Sequence, residues 1–233
     1  MEKQGRIQSI DALRGLCLLL MVAYHFFYDL VYFLDAPGWI FVNPVFDVLQ
    51  PFVAGIFIAL AGVSSRFSRS NVKRGIKALA AALVVTVVTW VMGTPVLFGI
   101  LHFMGTAMVL YGLTEKVWAK IPLRLAPVLY LALTAGAAVL RSVLNPVNQR
   151  GLWILGFYTK GFFSSDYFPI LPWIFVFLFG TWLGELIRQE KLPKWFYTID
   201  PPLLPAVGRH SLLIYVLHQP VLYGVTMLLQ LIF

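Results

Sequence analysis

The sequence predicts an all-α polytopic membrane protein, a bundle of about seven transmembrane helices with a cytoplasmic N-terminus. Three observations carry this. Of the 233 residues, 60% are hydrophobic and only 12% are charged, against roughly 25% charged in an ordinary soluble domain. So few charges cannot cover a soluble surface, which makes lipid the natural solvent. The apolar residues fall in segments long enough to cross a bilayer, and Lys and Arg gather in alternate connections. The composition excludes a disordered chain and most soluble enzymes. A net charge of +8 would suggest nucleic acid in a soluble protein. Here it reads as the basic bias of cytoplasmic loops, and no nucleic-acid partner is expected. Cys17 is the single cysteine, which excludes an intramolecular disulfide and a Cys-based zinc site. The apolar run after residues 1–6 is long, is interrupted by polar residues and ends in no small-residue cleavage site, so no cleavable signal peptide is expected.

A crossing takes about 20 mostly apolar residues at about 1.5 Å rise each. The first candidate covers 10–33 and the second 44–62. No Asp, Glu, Lys or Arg occurs between Lys77 and Glu115, a stretch too long for one crossing. Gly93-Thr94-Pro95 breaks it into a third helix over 75–92 and a fourth over 96–113. The fifth, 125–140, is short and contains Pro127. The sixth, 168–186, opens near Pro169 and Pro172, and the seventh covers 210–232. The connection after the second helix carries Arg66, Arg69, Lys73, Arg74 and Lys77. Later connections on that side hold Lys116, Lys120 and Arg124, then Arg188, Lys191, Lys194 and Arg209. The other side holds only Arg141, Arg150 and Lys160, which puts the N-terminus in the cytoplasm and the C-terminus outside. The longest outer loop, 141–167, is rich in Gly, Asn, Ser and aromatics, suited to lying on the membrane surface or covering a cavity. No internal repeat is visible, and 1–233 reads as a single domain.

An ionisable group inside a membrane helix is costly and is a functional candidate by default. The first helix has four: Asp11, Arg14, His25 and Asp29. Asp11 and Arg14, three residues apart, are spaced to pair at the cytoplasmic end. Arg14 and His25 lie about 20° apart around the axis and about 16 Å along it. Asp29, one turn beyond His25, is spaced to fix its tautomer. The stripe thus runs from cation to imidazole to carboxylate. The blander alternative is an Arg14 that snorkels to the interface and a His25 that bonds a neighbouring helix.

Further polar residues lie at related depths. Asp47 opens the second helix, where the dipole favours an acid in any case. His102 sits in the Gly99-Ile100-Leu101-His102-Phe103-Met104-Gly105 stretch, whose glycines permit close packing. His218 is followed by Gln219 and Pro220, and a backbone group freed by the proline is an available partner. Glu185 reads as interfacial. Ser64, Ser65 and Arg66 end the second helix and open a basic stretch suited to a phosphorylated ligand or to anionic lipid headgroups.

Ser9-Ile10-Asp11-Ala12-Leu13-Arg14-Gly15, with the R-x10-H pair Arg14 and His25, resembles the first helix of the transmembrane acyltransferase superfamily, which includes acyltransferase family 3. The second helix resembles more closely the heparan-alpha-glucosaminide N-acetyltransferase catalytic-domain family. Asp47, Pro51, Phe52 and Gly62-Val63-Ser64-Ser65 fit its pattern, as do Gly99-Ile100-Leu101 with Gly105. Gly208, Ser211, Tyr215 and His218 are similar to its closing helix. The size resembles its short bacterial members. Together these stretches cover a little under half of the chain.

The resemblance implies an integral-membrane acyltransferase of a bacterial cytoplasmic membrane. It would carry an acyl group, acetyl above all, from cytoplasmic acyl-CoA to an extracytoplasmic hydroxyl or amine, on a glycan or amino sugar. Acetyl-CoA or another acyl-CoA is then the donor substrate, and no metal is implied. Catalytic candidates are His25, Asp29, Asp47, His102 and His218; donor-binding candidates are Arg14, Ser64, Ser65 and Arg66. Arg14 would hold a CoA phosphate, His25 would be general base or acyl carrier, and Asp29 would orient it. One place departs from the resemblance. The lysosomal member has its catalytic histidine after the first helix, shortly before a tryptophan; here Asp35-Ala36-Pro37-Gly38-Trp39 holds none. Two alternatives are a proton-coupled transporter or flippase, favoured by intramembrane His/Asp pairs and broken helices, and a non-catalytic protein that binds CoA or lipid. Glycine-rich helix faces permit a homodimer. A retinal protein is disfavoured because the last helix has no lysine. His210 and His218, about 12 Å apart along one helix, are too distant to share a metal ion.

Overall fold

The computed structural model describes residues 7–148 and 151–232. The leading residues 1–6 and Arg150, used above for the leader and the charge bias, lie outside the described residues. The described chain is built of helices, with one isolated bridge between Phe98 and Tyr167. Seven helices are long: α1 (Gln8–Phe33), α2 (Pro44–Arg66), α3 (Asn71–Val91), α4 (Ile100–Trp118), α5 (Ala126–Leu144), α6 (Ile170–Arg188) and α9 (Ser211–Gln230). They correspond one to one to the seven apolar segments. Two short helices, α7 (Lys194–Thr198) and α8 (Leu204–Arg209), were not expected.

Among the described residues, six helices are long and apolar enough to cross a membrane, and α4 is not among them. The polar residues His102, Glu115 and Lys116 lower its hydropathy. Its inner face is instead buried in protein along its length, from Ile100 and Leu101 through Phe103 and Met104 to Met108 and Tyr111. A helix walled by protein does not need an apolar surface all round. The pairing of α1 with α9 is consistent with α4 as a seventh crossing. Their contacts advance in the same chain sense: His25 with His218, Asp29 with Gln219, Phe33 with Tyr223. The two helices therefore run parallel. A first and last crossing can be parallel only if the number of crossings is odd, which seven satisfies and six does not.

The chain divides into two compact units, Met1–Phe57 with Leu192–Phe233, and Ile58–Lys191. In the first, α1 is the central element. The short α8 lies against its start at backbone distance, because a Cβ on Gly208 would overlap the Asp11 carbonyl and one on Gly15 would overlap that of Leu204. The Ser9 hydroxyl donates to the Phe196 carbonyl, and Ser9 and Asp11 are buried. Asn43 caps α2, its Oδ1 accepting from the Val45 and Phe46 amides at 3.1 and 3.2 Å.

In the second unit α3 packs on α4 and α5 on α6. The end of α2 meets α6, where a Cβ on Gly180 would overlap the Ala59 carbonyl. Helix α4 starts at Ile100 rather than Val96 because residues 95–98 are taken by a distant strap. The Ser165 amide donates to the Pro95 carbonyl at 3.0 Å, and that of Phe168 to the Phe98 carbonyl at 2.8 Å. The Leu97 amide donates to Ser164 Oγ at 3.0 Å, and the Asp166 carboxylate accepts from the Ile100 amide at 2.9 Å. The described parts of the connection from α5 to α6 are held by bonds of their own. Arg141 Nε and Asn145 Nδ2 both donate to the Gly156 carbonyl, at 3.0 and 2.9 Å.

Seven crossings make a labelling prediction. With Cys17 replaced by Ala, cysteines at Asp35 and Leu231 react with a membrane-impermeant maleimide from one side of the membrane, and a cysteine at Lys191 from the other. Labelling of positions 35 and 231 from opposite sides would contradict the parallel arrangement of α1 and α9.

Candidate functional site

Residues 25, 29 and 33 recur at four-residue spacing, so α1 presents them on one face. Helix α9 meets that face with 218, 219 and 223. The His25 and His218 rings lie with centroids 4.9 Å apart and planes inclined at 51°. His218 Nδ1 is 2.6 Å from the Tyr215 carbonyl oxygen. A carbonyl oxygen only accepts, so Nδ1 carries the hydrogen, and in the neutral imidazole Nε2 keeps a bare lone pair. That Nε2 is buried and has no hydrogen-bond partner. The carbonyl used is that of Tyr215, not that of Val216, which Pro220 deprives of its helical donor. The Tyr24 ring stands edge-on to His25 at 5.6 Å and is itself packed by Phe41 and Phe46.

Asp29 is 0% exposed. Its Oδ1 accepts from Gln219 Nε2 at 3.0 Å. The spacing of Asp29 to His25 suggested that the carboxylate orients the imidazole; among the described residues it bonds across to α9 instead. The physical reason is the facing amide. A buried carboxylate oxygen is satisfied by a donor on the packed helix, while the imidazole of His25 turns toward His218. Gln219 had been read only as a neighbour of His218. The available signal was an amide side chain within an apolar helix, where such groups bond between helices.

Arg14 Nη1 pairs with Asp11 Oδ1 at 2.8 Å, as the spacing predicted. Asp47 is exposed in the first turn of α2, where the helix dipole favours it, and its neighbour Phe46 is the residue that packs inward against Tyr24 and Phe27.

His102 belongs to the second unit and has its own setting. The Thr86 hydroxyl lies 2.6 Å from the Val96 carbonyl and 3.0 Å from His102 Nε2. Its single hydrogen goes to the carbonyl, so Nε2–H is the donor to Thr86 and Nδ1 is left bare, buried and without a partner. Phe98 stacks on the ring at 5.9 Å. In the connection from α5 to α6, Tyr167 donates to the Trp153 carbonyl, and burial pushes its phenol up to about 12.

The residues proposed for a phosphorylated ligand at the end of α2 are committed inside the protein. Ser64 and Ser65 donate to the carbonyls of Leu60 and Ala61, one helical turn back, at 2.8 and 3.0 Å. Arg66 joins α2 to α4 and α6. Its Nε and Nη2 bond Glu185, and its Nη1 bonds Tyr111 and Glu115 at 2.8 and 3.0 Å. Glu185, read as merely interfacial, also holds Arg188 and Gln189. Every nitrogen of the Arg66 guanidinium is engaged, so it acts as a cross-link and not as an open anion clamp. Among the described residues, no group of three or more His, Cys, Asp or Glu is placed to hold a metal ion.

The family model described as Heparan-alpha-glucosaminide N-acetyltransferase, catalytic, matches residues 6–220. The chain has no significant match among curated proteins or among solved structures.

The Arg66 cluster predicts a stability effect. The Arg66 and Glu185 side chains are only 17% and 14% exposed, so removing the cation leaves a largely buried carboxylate with only the exposed Arg188 and Gln189 as partners. Arg66→Ala is expected to destabilise by about 3 kcal/mol, read as an earlier thermal unfolding transition in detergent. A transition unchanged from wild type would refute the cross-link.

Proposed function

Because this chain belongs to the heparan-alpha-glucosaminide N-acetyltransferase catalytic family, whose membrane-embedded acetyltransferase character it shares, we propose that it moves an acetyl group from cytoplasmic acetyl-CoA to an extracytoplasmic hydroxyl or amine on a glycan-like acceptor. A bacterial cytoplasmic membrane is the setting this reading assumes. The observation that supports it most is the pair of imidazoles contributed by α1 and α9. His218 has its Nδ1–H held by a backbone carbonyl and its Nε2 bare, the arrangement a general base needs.

The acceptor O–H or N–H donates to His218 Nε2. As its oxygen or nitrogen bonds the thioester carbon, the proton passes to Nε2. Collapse of the tetrahedral intermediate breaks the C–S bond, and the proton leaves with the CoA thiolate as the free thiol. His25, with its ring 4.9 Å away, is the second group able to bond the acceptor or to carry the acyl group. Arg14 lies about 16 Å before His25 along α1, roughly the reach of an extended pantetheine arm, which suits it to the phosphate end of the donor. Serine and arginine at the end of α2 take no part in this reading, because their donors are used within the protein. With no histidine in 35–39, the histidine chemistry falls to the helices themselves. Packing of the helices excludes water and so protects the thioester from hydrolysis.

The test uses purified protein with acetyl-CoA and glucosamine, reading release of free CoA thiol. Wild type turns over, and His218→Ala and His25→Ala each lose about 100-fold or more. Acetyl-CoA raises the melting temperature of wild type and of His218→Ala but not of Arg14→Ala. Absence of both stabilisation and turnover in wild type would sink the proposal. Proton-coupled flux into liposomes without acetyl-CoA would then favour a transporter.

A further inference from the structure

We propose that Gln219 is a positioning residue of the transfer site, and that Asp29 serves it as a hydrogen-bond anchor rather than as a charge acting on His25. This rests on the acetyl-transfer reading above. Four observations lead to it. Asp29 is fully buried, yet its described bond goes to an uncharged amide on α9. Gln219 immediately follows His218, so a tie at 219 fixes the rotation of α9 at the position that carries the bare Nε2. His25 stands one helical turn before Asp29 on α1, so the same tie sets the approach of the two imidazoles. Finally, Asp29 Oδ2 and Gln219 Oε1 are both buried acceptors without a donor, so the contact rests on a single bond.

The mechanical consequence is large for a small group. A reacting atom displaced by about 1 Å can cost about 100-fold in rate, and rotation of α9 about its axis moves the His218 ring directly. Other ties between α1 and α9 lie toward their far ends. Phe33 meets Tyr223 with ring centroids 5.4 Å apart, and Gln230 donates to the Phe33 carbonyl. These hold the helices together but sit further from the imidazoles along both chains.

Substitution at position 29 separates hydrogen bonding from charge. Asparagine at position 29 keeps an oxygen for Gln219 Nε2 and adds an N–H that can serve Gln219 Oε1. Turnover and acetyl-CoA binding are measured for Gln219→Ala, Asp29→Ala, Asp29→Asn and, as a packing control on the same interface, Tyr223→Ala. The expected result is a kcat lowered by about tenfold or more in Gln219→Ala and Asp29→Ala, with KM for acetyl-CoA unchanged. Asp29→Asn recovers most of that loss and melts no lower than wild type. Tyr223→Ala lowers the melting temperature without the same fall in kcat. If Asp29→Ala does not fold, Gln219→Ala against Asp29→Asn carries the comparison. Asp29→Asn as inactive as Gln219→Ala, or Gln219→Ala with wild-type kcat, overturns the proposal. A wild type that does not turn over fails the function itself, whereas an active wild type with an unaffected Gln219→Ala fails this inference alone.

Discussion

Hydrocarbon offers no hydrogen bonds, so a polar side chain within a crossing helix is costly unless another part of the protein answers it. Helix α1 carries the heaviest such burden, with Asp11, Arg14, His25 and Asp29 along its length. At its start Asp11 takes Arg14, and the glycines at 15 and 208 let α8 approach the start of α1 at backbone distance. Further along, α9 supplies His218 for His25 and Gln219 for Asp29. Because those partners come in the same chain order on both helices, α1 and α9 run parallel, and the odd number of crossings follows. The arrangement of the first unit is thus a consequence of where its polar groups must be met.

The same demand shapes the second unit, with a different outcome. There the polar residues are spent on each other. Arg66 is bound by Glu185, Glu115 and Tyr111, and the serines before it bond their own helix. Thr86 relays between His102 and the Val96 carbonyl, and the strap over 164–168 satisfies the backbone opened by the break between α3 and α4. Saturated groups give rigidity, whereas reaction requires a group left available. His218 Nε2 and His102 Nδ1 are the ring nitrogens that the hydrogen bonding fixes as bare, buried acceptors. Of the two, His218 has a second imidazole beside it in its own unit.

The seven long helices were legible because charge-free stretches and Gly-Thr-Pro punctuation are local signals. The start of α4 was not, since the residues that keep 96–99 out of the helix lie some 70 positions away in the strap. Nor were α7 and α8, five and six residues long, too short to leave a periodic pattern. The stripe on α1 was readable from spacing, and the Asp11–Arg14 pair with it. Spacing shows which residues share a face but not what lies opposite. Asp29 was therefore assigned to His25, its neighbour along the helix, when its bond runs to Gln219, 190 positions later. For the same reason Arg66, beside two serines and a basic run, looked like an anion site, although Glu185 answers it from 119 positions away.

That the imidazoles of α1 and α9 adjoin in the membrane can be tested without any substrate. The chain has only four histidines, so histidine labelled with carbon-13 and nitrogen-15 gives a sparse solid-state NMR spectrum in lipid bilayers. A through-space ring-to-ring correlation between His25 and His218 is expected, lost in either His25→Asn or His218→Asn, together with a hydrogen on Nδ1 of His218. A spectrum with no correlation between two histidine rings, or one unaffected by both substitutions, would contradict it.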